Sequence, residues 1–144
     1  MMSRLLVVEG DAVLRDILVE QLSLASDLET IACEQGGTGR AIVRDDGCEI
    51  VLAGTALPDM DGRDFIAAIR EDGFRGPILV LASSGSDPEQ DPGPETGATE
   101  FVARPFRFSV LLSRIRAQLR AHEASEEAAV AIGPYTFRPG AKTL

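Results

Sequence analysis

Five short, strongly apolar runs alternating with helical patterns constrain this chain more than any other feature. "RLLVV" (4–8), "LETIAC" (28–33), "EIVLA" (49–53), "PILVLA" (77–82) and "EFVA" (100–103) each have the length of a strand. A continuous apolar run such as 4–8 suits a strand buried on both faces rather than one. Asp11 stands where it can accept a bond from the first free N–H groups of a helix. Val13, Leu14, Ile17, Leu18, Gln21 and Leu22 then follow at spacings of three and four. "TGRAIVRD" (38–45) predicts a short helix bounded by Gly36–Gly37 and Gly47, and Asp64, Phe65, Ile66 and Ile69 mark another that ends near Gly73. A last helix over about 107–122 places Phe108, Leu111, Leu112, Ile115 and Leu119 on one face, with Arg107, Arg114 and Arg116 off it. Strands alternating with helices argue for a parallel sheet covered on both sides through right-handed crossovers.

The alternation breaks once. "DPEQDPGPETGA" (87–98) carries Pro88, Pro92 and Pro94, and a proline inside a helix costs ~3 kcal/mol or more. At most one turn of helix is expected there. "AHEASEEAA" (121–129) reads as a helix tail running into a linker at 123–129. "VAIGPYTFRPGAKTL" (130–144) has the alternation of a strand with nothing to pair with. Those last residues are expected to fold back on the domain or to open a further one.

Composition excludes several classes. The 144 residues carry a formal net charge of −9, so no general electrostatic attraction to nucleic acid is expected. No apolar run approaches the ~18 residues that span a membrane, and "LLVV" is too short for the core of a signal peptide. A cytoplasmic protein is the expectation. Cys33 and Cys48 fall at the end of one strand and the start of another, opposite edges of a parallel sheet. They are read as two small buried hydrophobes too far apart to bridge.

Function in an open parallel sheet collects at the carboxyl ends of the strands. Those ends read Glu9–Gly10–Asp11, Gly54, Ala82–Ser83–Ser84 and Arg104–Pro105. "LLVVEGDAVLRDIL", "IVLAGTALPDMDG", "PILVLASS" and "GATEFVARPF", taken together over about residues 3–122, resemble the receiver domain of two-component response regulators. The tail "IGPYTFRPGAKTL" resembles the opening strand of the winged-helix DNA-binding domain that follows receivers in the OmpR/PhoB subfamily. The resemblance implies a flavodoxin- or CheY-like doubly wound (βα)5 fold, strand order 2-1-3-4-5, with the fourth helix broken here. It divides the chain into a receiver (1–122), a linker (123–129) and a truncated winged-helix start (130–144).

The same resemblance implies a chemistry that these residues lack. The family's phosphoacceptor Asp, four residues before the loop proline Pro58, is Gly54 here. Of the acidic pair that holds a metal ion, Glu9 remains and the direct ligand is Gly10. The strand-four hydroxyl is Ala82, and the strand-five lysine is Arg104. Phosphoryl transfer to protein needs a carboxylate nucleophile and a divalent ion that clamps the phosphate oxygens. Mg²⁺ usually takes one or two carboxylates directly, so neither phosphorylation nor bound Mg²⁺ is expected, and no other cofactor is implied. Asp11 is read as a helix cap and Asp61–Gly62 as a turn and helix start. Ser83 and Ser84 are read as turn residues, and Thr55 as an alcohol without a nearby base. Glu9 facing Arg104 across the vacated pocket would offset a carboxylate left without metal.

The switch residues of the resemblance map onto Ala82 and Phe101, and Phe101 is expected to stay turned inward. Glu100, Arg114 and Arg116 match charged positions of the subfamily's dimer face. They suggest a homodimer through the fifth strand and last helix, although Val110 replaces an acid there. The reading is an atypical, non-enzymatic receiver that works by protein contacts with a second copy, a partner protein or a sensor kinase. DNA binding would belong to a following domain. Two alternatives are a working phosphoacceptor that uses a displaced acid such as Asp59, and a flavodoxin-like small-molecule carrier. The carrier would need Ser, Thr and Gly donors where "EGDAVLRD" offers an acid.

Overall fold

A computed structural model describes residues 3–82, 97–103 and 106–132, the stretch 126–132 as backbone only. The chain runs β1 (Ser3–Val8), α1 (Ala12–Leu22), β2 (Leu28–Cys33), α2 (Gly36–Asp45), β3 (Ile50–Gly54), α3 (Gly62–Glu71), β4 (Ile78–Ala82), β5 (Glu100–Ala103) and α4 (Phe108–Ile132). All five strands are parallel, in the order β2-β1-β3-β4-β5. This is the expected doubly wound arrangement, and the segment 87–98, where at most one turn of helix was expected, lies outside the described residues up to position 96.

Alternation along the strands splits the core into two layers. Leu5, Val7, Leu52, Leu79, Leu81 and Val102 pack with Leu18 and Leu22 of α1 and with Leu111, Ile115 and Leu119 of α4. Leu6, Val8, Val51, Ala53, Ile78 and Val80 pack on the other side with Phe65, Ile66 and Ile69 of α3. Every residue of β3 and β4 is buried, the reason those strands read as unbroken apolar runs. On α1 the buried stripe is narrower than its spacing suggested. Leu14, Leu18 and Leu22 face the sheet, while Val13 and Ile17 are 70% and 52% exposed.

Two helix boundaries differ from expectation. α2 begins at Gly36 instead of Thr38, because a distant carboxylate caps it. α4 continues to Ile132, through the stretch 123–129 that was read as a linker. Alanine and glutamate propagate a helix well, and no Gly or Pro interrupts them before Gly133. Residues 133–144 lie outside the described residues. No helix among the described residues is long and apolar enough to cross a membrane.

Both cysteines are half-buried and unbridged, Cys33 as the last residue of β2 and Cys48 just before β3. They pack against the α3 side of the core as small hydrophobes, as expected. Burial pushes the Cys33 thiol up to about 11 and the Cys48 thiol up to about 12.

Candidate functional site

Parallel register assembles the site. Val8 of β1 lies beside Ala53 of β3, so Glu9 and Gly54 leave the sheet as neighbours. Glu9 is only 3% exposed, and its Oε2 accepts a hydrogen bond from the Asp11 amide at 3.0 Å. Its carboxylate is seated over Gly54. A Cβ on Gly54 would stand 2.6 Å from Glu9 Oε1, 3.0 Å from Cδ and 3.1 Å from Oε2, closer than a real Cβ tolerates. The β1 carboxylate therefore uses the volume that a side chain on residue 54 would need.

The second glycine is matched in the same way. A Cβ on Gly10 would lie 2.8 Å from the Ala56 carbonyl oxygen and 3.4 Å from Pro58 Cδ. The β3–α3 loop thus rests directly on the β1–α1 turn. Of the described groups here, Glu9 supplies one carboxylate and Ala56 a carbonyl. Mg²⁺ usually takes one or two carboxylates directly and completes its octahedron with waters and phosphate oxygens. Among the described residues no group of three His, Cys, Asp or Glu side chains is placed to hold a metal ion.

The remaining acids near the site are engaged in structure. Asp11 Oδ1 accepts from the amides of Val13 (3.0 Å) and Leu14 (3.3 Å), so it is the cap of α1. Asp61 accepts from the Arg63 amide at 2.8 Å and caps α3, and that bond holds its carboxyl below the usual range. Asp59 reaches the start of α2. Its two oxygens accept from the Gly36 and Gly37 amides at 2.8 and 2.9 Å. Those N–H groups, Gly37 first, hold its carboxyl below the usual range. A carboxylate with both oxygens on amides is a helix cap in place, and this is what moves the start of α2 to Gly36. No local signal announces it, since the two partners are separated by more than twenty positions.

A cavity of about 80 Å³ adjoins the site, lined by Gly54, Thr55, Asp61, Gly62, Ile66 and Val80. Small-molecule sites run to about 300–1,000 Å³, several times that volume. A larger hollow of about 440 Å³ lies at the opposite end of the strands, beside Cys48, Phe74, Gly76 and His122.

Ala82, at the end of β4, is buried. Phe101 of β5 is half-buried and packs with Ala98 against the α3 side of the core. Arg104, Ser83 and Ser84 lie outside the described residues, and with them the expected Glu9–Arg104 pair. The proposed contact residues already hold partners within the chain. Arg114 Nη1 lies 3.1 Å from Glu100 Oε1 and donates to the Phe101 carbonyl at 3.2 Å, while Gln118 donates to Glu100 Oε2 at 2.7 Å. Arg116 instead donates two bonds, at 3.0 and 2.8 Å, to Asp27 in the α1–β2 turn. Spacing on the helix placed Arg116 with Arg114, whereas the fold separates their partners.

Comparison with known proteins converges on one family. The model of the response regulator receiver domain matches residues 5–116. The transcriptional regulatory protein BasR of Escherichia coli is 30% identical over 98% of this chain and 63% of its own length. CpxR of the same species is 29% identical over 88% of the chain and 53% of its own length. The chain spans about half to three fifths of such relatives. The BeF3-activated N-terminal receiver domain of Klebsiella pneumoniae RstA superposes with a TM-score of 0.73 at 26% identity, over 81% of this chain and 98% of that one. The receiver domain of a LuxO repressor protein from Vibrio parahaemolyticus shares the fold, with a TM-score of 0.80 at 17% identity over 89% and 98% of the two chains. Sheet order, the acidic turn after β1 and the family match agree, and the chain belongs to the response regulator receiver domain family, with relatives of the OmpR/PhoB type.

Proposed function

We propose that this receiver is degenerate and works without phosphorylation, passing its signal by protein–protein contact to a DNA-binding domain. One observation carries the reading: residue 54 is a glycine, and the volume above it is taken by the Glu9 carboxylate. An acyl phosphate cannot form on a residue without a carboxyl group. A Mg²⁺ ion would find one carboxylate where its preference is for a shell built around carboxylates, waters and phosphate. Asp59 is a poor substitute acceptor, since both of its oxygens are bound to the amides that open α2.

In this reading residues 1–122 form the receiver, α4 continues past them to Ile132 as the connection, and the tail after it begins a winged-helix domain. The protein is cytoplasmic and reaches DNA only through that following domain. Homodimerisation uses β5 and α4, where Glu100 and Arg114 stand side by side and Val110 is 42% exposed. Across a two-fold axis Glu100 of one copy would meet Arg114 of the other, and the reverse.

Incubation with acetyl phosphate and Mg²⁺, followed by intact mass measurement, tests the central claim. The mass is expected to stay unchanged, and the thermal midpoint is expected not to rise on Mg²⁺ titration. A stable gain of one phosphoryl group would overturn the reading.

A further inference from the structure

We propose that Glu9 and Gly54 are a matched pair, in which the β1 carboxylate permanently plugs the pocket and Gly54 is the space that admits it. The inference rests on the reading that residue 54 carries no chemistry, and it adds a steric coupling that ties residue 54 to residue 9. Three observations support it. The β1/β3 register makes the two residues neighbours on adjacent strands. The carboxylate is buried and its Oε2 accepts from the Asp11 amide, while the backbone carbonyl of the same residue accepts from Arg15 Nη1 at 2.8 Å. All three of its carboxyl atoms crowd the position of a Cβ on residue 54.

Gly54 is not there for its backbone freedom. The described glycines with positive φ are Gly47, Gly73 and Gly97, and an ordinary strand conformation accepts alanine. At an unstrained, open position Gly→Ala stabilises a protein by reducing the freedom of the unfolded chain. At Gly54 the opposite sign is expected, because the methyl group must displace a buried carboxylate from its hydrogen bond.

A double-mutant cycle read by thermal denaturation tests the pairing without any phosphodonor. Gly54→Ala in the native background is expected to lower the midpoint by about 5 °C. With Glu9→Ala or the shorter Glu9→Asp, the same Gly54→Ala change is expected to leave the midpoint unchanged or raise it. With Glu9→Gln, which keeps the volume, the loss is expected to persist. Should Gly54→Ala alone fail to fold, recovery of a cooperative transition in Gly54→Ala/Glu9→Ala supports the pairing. An equal loss in all four backgrounds, or no recovery in the double variant, overturns it. Phosphorylation of the native chain would instead remove the functional reading and leave this coupling untouched.

Discussion

Arg70 offers the sharpest test of how this sheet is held together. It lies in the last turn of α3, half-buried. Nη1 donates to the carbonyls of Phe74 and Gly76, both at 2.8 Å, while Nε and Nη2 donate to the Gly97 carbonyl at 3.0 and 2.9 Å. The guanidinium also stands 5.6 Å from the centroid of the Phe74 ring. One side chain thus joins the end of α3 to both the entry of β4 and the entry of β5. Beyond Gly97, Thr99 continues the junction, its amide donating to the Ile78 carbonyl and its hydroxyl accepting from the Ile78 amide. Arg70→Met keeps the aliphatic stem and removes the donors from three carbonyls. At about 1 kcal/mol net for each in a half-exposed site, the loss should be about 3 kcal/mol. Arg70→Lys should recover about 1 kcal/mol, since an ammonium cannot reproduce the planar fork. Urea denaturation followed by far-UV circular dichroism measures both. Amide exchange should quicken at Val102 of β5 more than at Val7 of β1, because the lost contacts hold the β5 edge. A Met variant within about 0.5 kcal/mol of the native protein would refute the reasoning.

The thiols provide a second prediction. With Cys33 pushed up to about 11 and Cys48 up to about 12 by burial, the thiolate is scarce at pH 8. Reaction with an aromatic disulfide reagent should be at least ~100-fold slower in the folded protein than in urea, and equal rates would be the contrary result. The acid limb of stability is a third. Asp27 is held below its ordinary 3.8 by the Arg116 hydrogen bond, Asp59 by the Gly37 and Gly36 amides, and Asp72 by the Arg40 hydrogen bond. Depressed carboxyls contribute stability that is complete above their unfolded value and is lost as pH falls through the lower folded values. The urea midpoint should therefore change little from pH 7 to 5 and fall between about pH 4 and 2; a midpoint that rises on acidification over that lower range would contradict the assignment.

Much of this protein was legible in local sequence, because the relevant physics is local. Strand runs appear as unbroken apolar stretches, since β3 and β4 are buried on both faces. The stripe Leu111, Ile115 and Leu119 appears because a helix returns to the same face every three or four residues. Asp11 and Asp61 announce the helices they cap, their partners being two or three residues away. That positions 10 and 54 are glycines was equally plain. Other features depended on distance through space. Asp59 opens α2 from the far side of β3, and Arg116 reaches Asp27 across the α1–β2 turn. Arg70 gathers three carbonyls from two separate loops. That Val13 and Ile17 face outward while Leu14 and Leu18 face the sheet was decided by where α1 docks, since an apolar spacing marks a stripe but not its width. Sequence alone determined that residue 54 carries no side chain. Only the tertiary structure decided what stands above it, because strand register brings a carboxylate from β1 over a glycine of β3, and register belongs to the assembled sheet rather than to either strand.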